Sequence, residues 1–274
     1  MTDSTPHSTL GELLAHLHSG PEHLIQLTED WTQGRTMFGG LVAALLLQAL
    51  ETEVEPDRGV RSVLVHFAGP VVPGEVHIRS RTLRSGKSIT HSQAELIQNG
   101  EVCTTMNGVF GGARRTGLSM KARPPQVAPQ VQDVKRLPHL PGRMPNFLRH
   151  FAMYWVSTER LFSGGTSGKI AGYVAHDPSG PPYGPGLLAL MDAWPPTALT
   201  MTDAPAMAST VTWMVDFLAG PPQVPKDSAA PHFYQAETVA VADGYSSTHG
   251  QLWAPDGTPL LAAQQMIAEF SRPS

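Results

Sequence analysis

The chain carries one cysteine, Cys103, in 274 residues, so no disulfide can form within it. That fits a reducing compartment, and a cytoplasmic protein is expected. Charge is also scarce: charged residues make up 15% of the chain and the net charge is -4. Non-specific nucleic-acid binding needs a basic face, and this composition excludes it. No apolar run reaches the ~18–20 residues that a membrane-spanning helix requires. The longest, Leu41–Leu47, reads as a buried helix. The N-terminal MTDSTPHSTLGELLAHLHSG lacks a charged n-region and a long apolar h-region, so no signal peptide is expected. The 12 histidines show no metal-ligand spacing such as H-x-x-x-H with a carboxylate, so neither a metal nor another cofactor is expected. What is present is core-forming material: 41% of residues are hydrophobic, enough for one large or two ordinary domains.

The sequence repeats itself. GKSITH at Gly86–His91 returns as GYSSTH at Gly244–His249. Upstream of the first copy lies VHFAGP (Val65–Pro70), and upstream of the second VDFLAGP (Val215–Pro221). Downstream, Asn99-Gly100 is matched by Asp256-Gly257, and each copy ends near a phenylalanine, Phe110 or Phe270. Three landmarks in one order, roughly 150–158 residues apart, read as one unit used twice. Residues 120–147, rich in proline and without periodicity, form the expected linker between an N-terminal unit, 1–119, and a C-terminal unit, 148–274.

Each unit has the same order of elements. In the first, Gly39-Gly40 opens LVAALLLQALETEV, a helix apolar on nearly every face, which belongs inside a core. Strands are expected at His23–Thr28, Val60–Phe67, Glu75–Arg84, Ser88–Ile97 and Val102–Phe110, the last two flanking the Asn99-Gly100 turn. In the second, Gly186 opens the apolar LLALMDAW, stopped by Pro195-Pro196. Strands are expected at Leu148–Val156, Lys169–His176, Ser209–Leu218, Phe233–Val241, Ser246–Ala254 and Leu260–Phe270. The class is α+β, with an antiparallel sheet in each unit as the only available cover for its helix.

In this order of elements the chain resembles the double-hotdog acyl-CoA thioesterases, the group of bacterial acyl-CoA thioesterase II. The resemblance is carried by MFGGLVAALLLQAL, VHFAGP with LRSGKSITHSQAELIQNGE, LALMDAWPP, ASTVTWMVDFLAGP and DGTPLLAAQQ. It implies a double hotdog, two tandem antiparallel sheets each wrapped around one long apolar helix. It also implies hydrolysis of acyl-CoA, a place in fatty acid metabolism, and a water held by an Asp, a Thr and a Gln. Those roles fall on Asp192, Thr210 and Gln265, with Gln264 a competitor because Pro259 leaves the register open by one. A glycine at the first helix start does oxyanion work in single-hotdog relatives, which points to Gly39 and Gly40; the alternative is a tight turn into the helix. A homodimer of double hotdogs is the assembly such a fold allows.

Asp192 stands out without the family. A carboxylate within an otherwise apolar helix is costly unless paired, and desolvation raises its pKa towards the range of a general base. The alternative is an Asp near a helix end that faces solvent. The repeat supplies an internal control. Six residues beyond Gly39 or Gly40 stands Leu45 or Leu46, where six beyond Gly186 stands Asp192. Val60 stands in place of Thr210, and Asn107 or Gly108 in place of Gln265. One site is therefore expected, not two. The repeated Ser88, Thr90, His91 and Ser246, Thr248, His249 read as shared architecture, and Met37, Met191 and Met214 as core or tunnel lining.

Two other functions remain open from sequence. A hotdog enoyl-CoA hydratase needs D-x-N-P-x-H; here Asp243 and His249 are one residue too far apart and the Asn-Pro is missing. A non-catalytic acyl-CoA or lipid-binding protein would bind its ligand and release no thiol.

Overall fold

The computed structural model describes residues 8–118, 120, 130–220 and 230–270. Residues 121–129 of the expected linker lie outside that part, as does Pro221 of the second VDFLAGP landmark.

Among the described residues there are three α-helices: α1 (Leu10–Ala15), α2 (Gly39–Glu51) and α3 (Pro185–Asp192). The strands in chain order are β1 (Glu22–Leu27), β2 (Thr32–Gln33), β3 (Thr36–Met37), β4 (Gly59–Phe67), β5 (Gly74–Ser85), β6 (Ile89–Gln98) and β7 (Glu101–Gly111). Then follow β8 (Phe151–Trp155), β9 (Lys169–His176), β10 (Ala208–Phe217), β11 (His232–Ala242), β12 (Tyr245–Trp253) and β13 (Pro259–Glu269). Every strand expected from alternation is there, within a few residues. The N-terminal α1 was not anticipated, although Thr9 and Glu12 form a capping box that fixes its start.

The expected pair of sheets is one sheet. Eleven strands run in the order β1-β5-β6-β7-β4-β10-β13-β12-β11-β9-β8. The two repeats meet edge to edge, where β4 pairs antiparallel with β10 from Thr212↔His66 to Asp216↔Ser62. Joining the two edges removes the unpaired backbone that each half would otherwise expose. The helices also differ from the expectation of two long ones: α2 has 13 residues and α3 only 8. Pro185 suits the first turn of α3, and Pro195-Pro196 prevents its continuation.

Both helices lie on one face of the sheet. There α2 buries Leu41, Leu45, Leu46, Leu47 and Leu50, and α3 buries Leu187, Leu188 and Leu190. The strands meet them with Val63, Val65, Ile78, Leu96 and Phe110 in the first repeat, and with Trp213, Val215, Leu252 and Ile267 in the second. The same bulge interrupts both central strands, between Val60 and Ser62 in β4 and between Thr210 and Thr212 in β10. A bulge resets which residues face inward. Its duplication fixes Val60 as the counterpart of Thr210, as the landmarks suggest.

The C-terminal end of the expected linker is docked rather than loose. Phe147 stacks on Phe38 at 4.0 Å, His150 Nε2 lies 3.0 Å from Asp30 Oδ2, and Asn146 Nδ2 donates to Thr32 Oγ1 at 3.0 Å. These contacts bind the start of the second repeat to the residues just before α2.

Candidate active site

The two helices pack antiparallel, so the end of each meets the start of the other. Asp192, the last residue of α3, lies against the first residues of α2. A Cβ on Gly39 would stand 2.9 Å from Asp192 Oδ2, and one on Gly40 would stand 3.0 Å from Asp192 Cβ. Both glycines therefore allow a close approach that any side chain would push apart. The Gly40 N–H faces the Asp192 carboxyl closely enough to pull its pKa down.

Gln265 completes the pair. Its Nε2 donates to Asp192 Oδ1 at 3.0 Å. In the sheet it stands opposite the buried Trp213 on one side and the buried Thr248 on the other, so it faces the helices. Gln264 pairs with Met214 and His249, is exposed, and approaches Ser247 Oγ at 3.5 Å. It lines a concavity of about 480 Å³ on the other face of the sheet, together with Asp216, Glu237 and His249. The ambiguity left by Pro259 thus resolves to Gln265 as the inward glutamine.

Thr210 is half-buried and stands opposite the buried Ile267. Ile267 lies two residues from Gln265 on β13, so both face the same side. Without the bulge at Val211, Thr210 would point away from Trp213 and from the site. The structure thus brings Asp192 into contact with Gln265 and against Gly39 and Gly40, and places Thr210 one diagonal step along the sheet.

The electrostatics follow from burial. Desolvation pushes the Asp192 pKa up to about 7, against the lowering pull of the Gln265 and Gly40 hydrogen bonds. The residue as a whole is half-buried. Such a group exchanges its proton near neutral pH, as a general base must.

Two residues of this neighbourhood carried no sequence signal of their own. Tyr234 on β11 is buried, and its hydroxyl is pushed up first by desolvation and then by the nearby Asp192. Thr248, read from sequence as shared architecture, lies opposite Gln265 and bonds Thr197 Oγ1 at 3.2 Å. Met191, Trp213, Tyr234, Thr248, Gly250, Ala263 and Gln265 enclose a cavity of about 10 Å³, about the room one water needs. Among the described residues, no group of three or more His, Cys, Asp or Glu is placed to hold a metal. No helix among them is long and apolar enough to cross a membrane.

Comparison with known proteins shows the family and the fold. Residues 27–111 match the family model of the acyl-CoA thioesterase N-terminal domain, and residues 124–268 that of the acyl-CoA thioesterase C-terminal domain. No curated protein matches the chain. Among solved structures, a hotdog-fold protein of unknown function from Alicyclobacillus acidocaldarius is similar with a TM-score of 0.86 and 24% identity, over 98% of this chain and 100% of that one. An acyl-CoA thioesterase II from Mycobacterium marinum is similar with a TM-score of 0.71 and 19% identity, over 93% and 94% of the two chains. A tesB protein from Mycobacterium avium subspecies paratuberculosis gives 0.76 and 17%, over 96% and 100%. At these identities the structures speak for the fold.

Proposed function

The chain belongs to the acyl-CoA thioesterase family, and from that premise we propose that it hydrolyses an acyl-CoA thioester to the free acid and CoA with water activated by Asp192. The observation that carries this reading is the contact of Gln265 Nε2 with Asp192 Oδ1 at 3.0 Å, around a carboxyl held near pKa 7 by burial. We read residues 1–119 and 148–274 as two hotdog units joined by 120–147, with the chemistry in the second.

Asp192 accepts a proton from a water held by Gln265 and Thr210. The oxygen of that water attacks the thioester carbonyl carbon, and the carbonyl electrons move onto its oxygen. When the tetrahedral intermediate collapses, the C–S bond breaks and CoA leaves as thiolate, which takes the proton back from Asp192. No covalent enzyme intermediate is needed. Gln265 and the Gly40 N–H both favour the ionised carboxyl, so they keep it a base at neutral pH. The Gly40 N–H serves here to seat the base, and the absence of a side chain at Gly39 leaves it room.

A thiol-release assay over acyl-CoAs of graded chain length tests the reading, with Asp192→Asn as control. Hydrolysis by the parent and its loss in the variant are expected. A variant that hydrolyses at the parental rate removes Asp192 from the chemistry. A parent that binds acyl-CoA and releases no thiol at any chain length is a binding protein instead.

A further inference from the structure

The reaction as described names no donor for the carbonyl oxygen, and the Gly40 N–H faces the Asp192 carboxyl. Negative charge develops on that oxygen in the transition state, and a fixed donor there is among the strongest contributions to catalysis. Tyr234 is placed for it. Its ring stacks parallel on Trp194, centroids 4.9 Å apart and 2° from coplanar. Trp194 follows Asp192 by two residues, so one short segment holds both the carboxyl and the phenol. The Tyr234 hydroxyl lies 3.6 Å from where a Cβ on Gly250 would stand, in the cavity that Gln265 also lines. Gly250 keeps that space open.

The repeat argues the same way from an independent side. Tyr234 pairs with Leu252 across β11 and β12, and Gly250 pairs with Ala236. In the first copy, with GKSITH laid on GYSSTH, Ser92 takes the place of Gly250, Ala94 that of Leu252, and Ser80, opposite Ala94, that of Tyr234. The phenol and the gap in front of it are thus found only in the copy that holds Asp192 and Gln265. Desolvation and the adjacent Asp192 keep the hydroxyl protonated across the working range, so it remains a donor.

We propose that Tyr234 is a catalytic residue of the hydrolysis, its hydroxyl donating a hydrogen bond to the thioester carbonyl oxygen and to the oxyanion it becomes. The proposal rests on the hydrolase reading above. Tyr234→Phe keeps the ring and its stacking on Trp194 and removes only the donor. It is expected to lower kcat roughly 10²-fold with KM little changed, as loss of one oxyanion donor does. A variant within about twofold of the parental kcat overturns the proposal, since packing alone survives the substitution.

A second measurement needs no turnover. A dethia acyl-CoA, in which CH2 replaces the thioester sulfur, carries a ketone labelled with carbon-13 at the carbonyl. On the parent its carbonyl resonance should move downfield from the free position, and on Tyr234→Phe most of that shift should vanish. Equal shifts in the two proteins overturn the role of Tyr234 and leave the hydrolase reading standing. A parent that shows the Tyr234-dependent shift but releases no thiol overturns the hydrolase reading and leaves Tyr234 as the carbonyl donor. A parent that neither hydrolyses nor binds acyl-CoA overturns both.

Discussion

The ends of α2 and α3 are two versions of one place. Each helix finishes on an acid, Glu51 or Asp192, and each acid lies against the start of the other helix. A Cβ on Gly184 would stand 2.8 Å from Glu51 Oε1, as one on Gly39 would stand 2.9 Å from Asp192 Oδ2. Burial pushes both carboxyls up to about 7. Each has a tyrosine beside it: Tyr234 near Asp192, and Tyr183 near Glu51, the latter pushed up to about 12 by burial and by Glu51. What differs is the sheet beneath. Asp192 meets Gln265, whereas the first copy offers Gly108 by its pairing with Val63, or Phe110 by its pairing with Thr90. Leu50 fills the space over Gly108, 2.8 Å from where a Cβ would stand. An acid at a helix end is therefore not itself the site; the amide and the phenol on the facing strands distinguish the two ends.

The sharpest way to break this comparison is to remove the acid on the side proposed to be catalytic. Asp192→Asn should cut turnover about 10³-fold, within the range of a lost general base. The same change should raise the unfolding midpoint at pH 8, because it removes a carboxyl that is costly to ionise where it stands. Thiol release and thermal unfolding on one preparation check both; a loss of turnover with a fall in midpoint would mark simple damage.

Next in size is Gln265→Leu, which makes the second end more like the first. Turnover should fall roughly 10²-fold, comparable to the loss of one preorganised donor. The pH profile separates this from a packing defect. The Gln265 hydrogen bond lowers the Asp192 pKa, so without it the rising limb of kcat/KM should move to higher pH, by about one unit for a hydrogen bond to a charged group. An unmoved limb would count against Gln265 acting on Asp192. Smaller still is Gly39→Ala. Gly39 needs no unusual backbone angle; its missing Cβ makes room for Asp192 Oδ2. The added methyl should displace the carboxyl by a few tenths of an ångström and slow turnover about tenfold, in line with the sensitivity of catalysis to position. Gly11→Ala, where nothing lies within 4 Å, is the matched control and should not change it.

The sequence carried more of the scaffold than of the site. Strand positions were legible because alternation and the Asn99-Gly100 and Asp256-Gly257 turns act over a few residues. Which strands join the two halves was not, since nothing in β4 or β10 names its partner across 150 residues. Asp192 was visible as a carboxylate in an apolar helix. Tyr234 was not, because an inward tyrosine on a strand such as HFYQAETVAVA is ordinary core material. The internal control failed at one position for a geometric reason. Counting six residues from the glycines assumed helices of equal length and gave Leu45 or Leu46; α2 runs five residues longer than α3, and the counterpart of Asp192 is Glu51.

Glu51 supplies the gentlest test, because there the comparison predicts an effect on stability with none on turnover. Its folded pKa, about 7, exceeds its unfolded value near 4.5. Between those values the folded chain binds more protons than the unfolded one, so stability falls as pH rises. The stability that the protonated acid contributes is complete below pH 4.5 and is lost as pH passes through 7. For a half-buried carboxyl, with solvent taking part of the penalty, the loss is about 2 kcal/mol. Glu51→Gln cannot ionise. It should match the parent near pH 5, exceed it by that amount at pH 8, and hydrolyse acyl-CoA at the parental rate throughout. Denaturant unfolding at the two pH values, with thiol release alongside, measures this. A stability difference that does not change with pH would mean that Glu51 is ionised in the folded chain at both, held by charge rather than strained by burial. A large loss of turnover would mean that the two helix ends work together, and that the second acid belongs to the chemistry.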